Sequence, residues 1–210
     1  MNTAIEVILS RRSTRLFESI EISDKAVNSI LECARWAPSG LNQQPWRFVV
    51  IRNKKNIEAF VAVIENCFRS YRDSFPQKKT VLKRLDNYRK YISITSASML
   101  ICVLGKPYES YLAKLAKDSG VSVGMRQQNV DSGQLSIGGA IQNILIAVES
   151  LGLGACWMTG PLIFQKDLEQ FLGVRQPWNL VSIVPIGGKQ IFFKRKRTRL
   201  PLEEVCVFWD

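Results

Sequence analysis

The sequence predicts an α+β layered fold, in which several helices are built around a few buried strands. Three observations carry this. Two almost wholly apolar runs, Trp46–Arg52 (WRFVVIR) and Ala97–Leu104 (ASMLICVL), have the composition of core strands. The segments around them repeat apolar residues at helical spacing. Helices outnumber strands and alternate with them only loosely, which argues against a doubly wound sheet.

Taken in order, Asn2–Ser10 reads as a short helix. Ser23 is placed as an N-cap, with Ile22 and Val27 positioned for a hydrophobic staple. A helix follows from about Asp24 to Trp36, its stripe being Val27, Ile30, Leu31 and Ala34, and Pro38-Ser39-Gly40 breaks it. After the strand at 46–52, Ile57, Phe60, Val61, Ile64 and Phe68 form a second stripe. Gln77–Lys90 is a third helix, carrying Lys78, Lys79, Lys83, Arg84, Arg89 and Lys90 on what reads as a solvated basic face. The polar, weakly patterned stretch 105–134 is a candidate lid or flap within a single domain spanning 1–210. Ile137–Leu151 is the best helix, apolar on more than one side and therefore central, with Gly152 and Gly154 ending it. Ala155–Met158 is a short strand, Phe164–Leu172 a helix stopped by Gly173, and Leu180–Ile186 a core strand; Val205–Trp209 is a candidate last strand.

Composition narrows the chemistry. At 210 residues and 46% hydrophobic, the chain is long enough to bury a sizeable core. No apolar run is long enough to span a bilayer, and the start MNTAIEVILSRRS lacks the basic-then-apolar order of a secretion signal, so a cytoplasmic protein is expected. Cys33, Cys67, Cys102, Cys156 and Cys206 are odd in number and form no CxxC, which argues against a disulfide framework or a zinc site. There is no histidine, which removes Ser-His-Asp and Cys-His catalysis. Chemistry must then come from a cofactor, carboxylates, backbone groups or Lys and Arg. The net charge of +11 suits a phosphorylated ligand or a nucleic acid.

Three clusters could carry a site. Arg11-Arg12-Ser13-Thr14-Arg15 packs three guanidiniums and two hydroxyls into five residues, the makings of a phosphate cradle; the plain alternative is an exposed helix end whose arginines meet the helix C-terminus. Lys194–Arg199 is a second basic run, inside the last folded segment. Ala37–Trp46 is a loop dense in amides and hydroxyls between two prolines, suited either to a polar ring edge or to satisfying its own backbone. Cys156, Trp36, Trp46 and Trp157 read as core residues.

These motifs together resemble the nitroreductase family. Arg11 through Phe17 is similar to its RRSxRxF opening, and Ala37-Pro38-Ser39 with Asn42 and Gln44-Pro45-Trp46 to its APSxxNxQPW loop. Gly139, Gln142-Asn143, Gly152-Leu153-Gly154 and Trp157 resemble its central helix and following strand, and Arg197 through Val205 its basic-x-Arg-x-Pro-Leu-Glu-Glu ending. The resemblance spans nearly the whole chain in the right order, lapsing between Tyr71 and Gln134.

It implies a central, mostly antiparallel sheet flanked by helices, and an intertwined homodimer with FMN at the interface. By matching positions, Arg11, Arg12, Ser13 and Arg15 would serve the phosphate, ribityl chain and polar ring edge, and Arg197 and Arg199 the phosphate end. Pro38, Ser39, Gly40 and Asn42 would approach from the other subunit, and the Thr159-Gly160 turn would offer a backbone N–H toward flavin N5. The implied activity is transfer of electron pairs from NAD(P)H to a nitroaromatic, quinone or similar conjugated acceptor. The chain shows no GxGxxG after a strand, so NAD(P)H would dock transiently over the flavin and leave, giving ping-pong kinetics. Two other classes stand beside this: a non-enzymatic FMN carrier, and a basic nucleic-acid-binding protein, which here lacks any recognised binding motif.

Overall fold

The computed structural model describes residues 3–75, 78–121, 131–190 and 198–209. The elements run α1 (Ala4–Ser10), β1 (Phe17–Glu18), α2 (Asp24–Arg35), β2 (Trp46–Ile51), α3 (Lys54–Asp73), α4 (Lys79–Ile92), β3 (Met99–Gly105), α5 (Tyr111–Asp118), α6 (Ser132–Ser150), β4 (Leu153–Ala155), α7 (Gln165–Leu172), β5 (Asn179–Lys189) and α8 (Leu202–Val205). The strands form one antiparallel sheet in the order β1-β5-β3-β2, with β4 also paired to β5.

β3 shows why the sheet lies in the middle. All seven of its residues, MLICVLG, are buried. Side chains alternate across a strand, so Met99, Ile101 and Val103 face one way and Leu100, Cys102 and Leu104 the other. The first set joins a core with Ile30 and Ala34 of α2 and Ile137, Ile141 and Ile144 of α6. The second joins Phe60, Ile64 and Phe68 of α3 and Leu168 of α7. A strand covered on both faces has no polar side, which is why its sequence reads as a continuous apolar run. Burial holds the Cys102 thiol neutral, with its pKa pushed up to about 12.

Local signals placed most helix ends. Ser23 accepts from the Ala26 N–H and caps α2, with Ile22 and Val27 both buried beside it. Gly173 ends α7 at φ 65°. Gly152 turns the chain out of α6 at φ 74°. The face of α4 carrying Lys79, Lys83, Arg84, Arg89 and Lys90 is exposed, as expected of a solvated basic stripe.

Several expectations need correction. α6 starts at Ser132, because Asp131 accepts from the Gln134 N–H and caps it five residues before the apolar pattern begins. Gly154 does not end that helix; it lies inside β4, and the strand is Leu153–Ala155, with only Met158 of the later residues bridging to Ile183. Val205–Trp209 is not a strand: Val205 closes the helical turn α8, and Val207, Phe208 and Trp209 are exposed and pair with no strand among the described residues. Within the stretch 105–134, α5 forms behind the Ser110 cap, and 122–130 lie outside the described residues. β1, too short for a periodicity signal, was not anticipated.

Candidate functional site

The Arg11–Arg15 segment follows α1 and is fastened to the sheet by its backbone. Thr14 N–H donates to the Ala155 carbonyl at 2.8 Å, and Ser13 bridges Ala155 as a short parallel pair. Thr14 itself is buried against Gly154, where a Cβ would stand 2.8–2.9 Å from three Thr14 side-chain atoms. β4 therefore needs glycine there, and that close approach sets Arg11, Ser13 and Arg15 beside the strand leading to Thr159-Gly160.

The three arginines differ. Arg12 turns back, its Nη1 donating to the carbonyls of Leu9, Ser10 and Arg11 at 2.7–2.9 Å, and so closes the C-terminus of α1. This is the plain alternative, and it takes the Arg12 guanidinium away from a ligand. Arg11 is half-buried. Arg15 donates from Nη2 to the Tyr91 hydroxyl at 2.9 Å, with its guanidinium carbon 4.4 Å from the Tyr91 ring centroid. Its Nε is buried and has no hydrogen-bond partner among the described residues. A buried donor left unmatched costs about 1–3 kcal/mol, so the atom marks a place shaped for an acceptor.

The Thr159-Gly160 turn opens a 3₁₀ turn, Gly160–Phe164, with Pro161 buried behind it. Tyr88 Oη donates to the Gly160 carbonyl at 3.2 Å. A Cβ on Gly160 would meet Ile92 Cγ2 at 2.7 Å, so the end of α4 presses directly on this turn. α4 thus reaches Arg15 through Tyr91 and Gly160 through Tyr88, one turn apart on one helix face. Neither tyrosine was singled out in the sequence. The detectable signal was a pair of aromatics three apart in an otherwise charged helix.

The Pro38–Asn42 loop joins α2 to β2. Leu41, Asn42 and Gln44 hold positive φ (53°, 52° and 46°), a conformation that side chains other than glycine rarely adopt. Ser39 Oγ accepts from the Gln44 N–H, and Gln43 exchanges hydrogen bonds with the Glu109 backbone. Gly40 abuts Tyr108. Among the described residues, no hydrogen bond joins this loop to Arg11–Arg15 or to Gly160. Arg199 is exposed and donates to its neighbour Thr198, while Arg197 lies outside the described residues.

Of the expected core residues, Cys156 and Trp46 are buried, but Trp36 is 75% exposed and Trp157 40% exposed. Trp36 follows the last turn of α2 and points off the protomer, its Nε1 donating to Glu32. Hydrogen bonds from Arg35 and then Trp36 hold the Glu32 carboxyl below the usual carboxylate range. Trp157 lies against Gly138 of α6, at the rim of the core.

The site is a basic segment fastened to β4, with a buried Arg15 Nε that has no hydrogen-bond partner among the described residues, on an α+β fold. The nitroreductase family profile matches residues 8–188, and the chain belongs to that family. It is 26% identical over 196 residues to a protein of Archaeoglobus fulgidus provisionally named an NADH dehydrogenase/NAD(P)H nitroreductase, covering 89% of this chain and 86% of that one. Its fold is similar to a BluB-like flavoprotein from Clostridium difficile 630 (TM-score 0.82, 23% identity, all of both chains). It is also similar to iodotyrosine deiodinase bound to FMN and 3-iodo-L-tyrosine (TM-score 0.69, 21% identity, 95% of this chain and 97% of that one). Among the described residues, no helix is long and apolar enough to cross a membrane, and no group of His, Cys, Asp and Glu could hold a metal ion.

Proposed function

We propose that this protein is an FMN-dependent oxidoreductase that takes electron pairs from NAD(P)H and passes them to a conjugated acceptor, working as a homodimer. The observation that carries the reading is the buried Arg15 Nε, without a hydrogen-bond partner among the described residues, on an arginine tied to the same α4 face as the Gly160 turn. A flavin's polar ring edge offers the acceptors that this donor lacks. Arg11 and Ser13 would hold the ribityl and phosphate end, joined by Arg199 and Arg197. Arg12, committed to the end of α1, would contribute charge rather than direct hydrogen bonds.

FMN, when bound, supplies the two-electron chemistry, so the absence of histidine is no obstacle. The chain supplies a cationic environment that favours the more negative reduced ring, and a Gly160 backbone N–H toward its centre. Donor and acceptor would take turns over one ring face, giving ping-pong kinetics.

The dimer is argued from the surface. Trp36, Leu41, Leu135, Val207, Phe208 and Trp209 are all exposed in the single chain, Trp209 completely. A second copy seated over these residues would take them out of water. The Pro38–Asn42 loop, which makes no hydrogen bond to Arg11–Arg15 among the described residues, would complete the site of a second copy. The acceptor in this reading is a conjugated molecule such as a nitroaromatic or a quinone.

The test is the visible spectrum of the purified protein after incubation with FMN, before and after anaerobic NADPH. Flavin bands that bleach with NADPH and return with an acceptor are expected. A protein that takes up no FMN would overturn the assignment, and bands unmoved by NADPH and NADH would turn it toward a flavin carrier.

A further inference from the structure

We infer that Tyr91, with Tyr88 one turn before it, is a positioning residue that sets Arg15 and Gly160 for the flavin ring and tunes the ring's potential. This rests on the flavin reading above and adds to it the part played by α4. Arg15 is 76 residues from Tyr91 in sequence, and Gly160 is 72 from Tyr88, so only the fold brings them together.

Tyr91 holds Arg15 in two ways. Its hydroxyl accepts from Nη2 at 2.9 Å, and its ring lies 4.4 Å under the guanidinium carbon. Among the described residues it is the only side chain that hydrogen-bonds this guanidinium. A planar guanidinium fixed at one nitrogen and along one face has its remaining N–H directions fixed too, and the buried Nε is one of them. Removing the hydroxyl frees the fork to rotate, and Nε loses its aim.

Tyr88 acts on the other wall. Its bond to the Gly160 carbonyl, with Ile92 packed behind, holds the glycine's ψ and so the direction of the turn. Both phenols are partly exposed, 37% and 55%. Their hydroxyls are therefore not needed to fill the core, and losing them should not unfold the protein.

The two conservative variants separate these roles. In Tyr91→Phe the ring stays and the hydroxyl goes. Arg15 matters most to the reduced, more negative ring, so reduced FMN should lose about fivefold more affinity than oxidised FMN. A fivefold ratio corresponds to a midpoint potential lower by about 20 mV for a two-electron couple. Tyr88→Phe should weaken both oxidation states alike, by about threefold, and leave the potential in place. FMN dissociation constants come from fluorescence titration, potentials from anaerobic titration against a reference dye, and melting temperatures show that the fold is intact.

A Tyr91→Phe protein with the wild-type potential and wild-type FMN affinity overturns the inference. So does a loss of melting temperature with no change in potential, which would make Tyr91 merely structural. Failure of the wild-type protein to bind FMN is a separate result that removes the functional reading itself.

Discussion

Gly154→Ala tests the contact that places the site. The new Cβ would stand 2.8 Å from Thr14 Cγ2 and 2.9 Å from both Cβ and Oγ1, closer than real Cβ atoms come. Thr14 cannot swing clear, because it is buried and its N–H is bonded to the Ala155 carbonyl at 2.8 Å. The strain must fall on the Thr14–Ala155 bond or on the β4–β5 pairing of Gly154 with Gly187. Overpacking of this kind costs about 1–3 kcal/mol. In a chain of this size each kcal/mol lowers the melting temperature by about 2–4 °C, so a fall of roughly 2–12 °C is expected. FMN affinity should drop with it, since Ser13 and Arg15 move with Thr14. Gly138→Ala is the matched control: its Cβ meets Trp157 at an ordinary 3.5 Å, inside α6. There the exchange should stabilise by about 0.5–1 kcal/mol through helix propensity. Thermal melts of both variants, with and without FMN, are the assay. If Gly154→Ala melts at or above the wild type, the tight seating of Thr14 on β4 is wrong, and so is the argument that it positions the arginines.

Other outcomes follow from the same structure. Arg15→Met keeps the stem and removes the donors; it should weaken FMN about ten- to a hundredfold, the value of one charged hydrogen bond, read by fluorescence titration. Changing Arg197 and Arg199 together to Ala should release FMN while the protein still elutes as a dimer; retention of tight flavin would refute their assignment to the phosphate. Cys102 gives a pH prediction. Its pKa is raised from 9.0 to about 12 by burial, so the folded state keeps a proton that the unfolded state loses above pH 9. Stability should fall as pH rises through that window, by up to about 1.4 kcal/mol per pH unit. Urea titrations at pH 8 and 10 should show the fall lessened in Cys102→Ala relative to its own pH 8 value; an identical pH dependence in both proteins would refute it.

Much was legible because it was local. Ser23 and Gly173 announce helix ends through their own hydrogen bonding and dihedral freedom. The apolar run at β3 announces a strand covered on both faces. RRSTR and the Pro38–Trp46 loop announce polar chemistry, and their order along the chain carries the family resemblance. What misled was composition without context: Val205–Trp209 is apolar like a strand but pairs with none among the described residues, and Trp36 and Trp157 are apolar but stand at the surface.

The sequence by itself determined the α+β class, the family and the basic segments, since composition, periodicity and short motifs act over a few turns of chain. Only the tertiary structure decided what each arginine is bonded to. Arg12 and Arg15 are three residues apart and chemically identical, yet one caps α1 and the other holds Tyr91 while its buried Nε has no hydrogen-bond partner among the described residues. The difference comes from contacts 76 and 140 residues away, Tyr91 for Arg15 and Gly154 beneath Thr14. Hydrogen-bond geometry over such separations is set by how the layers pack, and no local pattern encodes it.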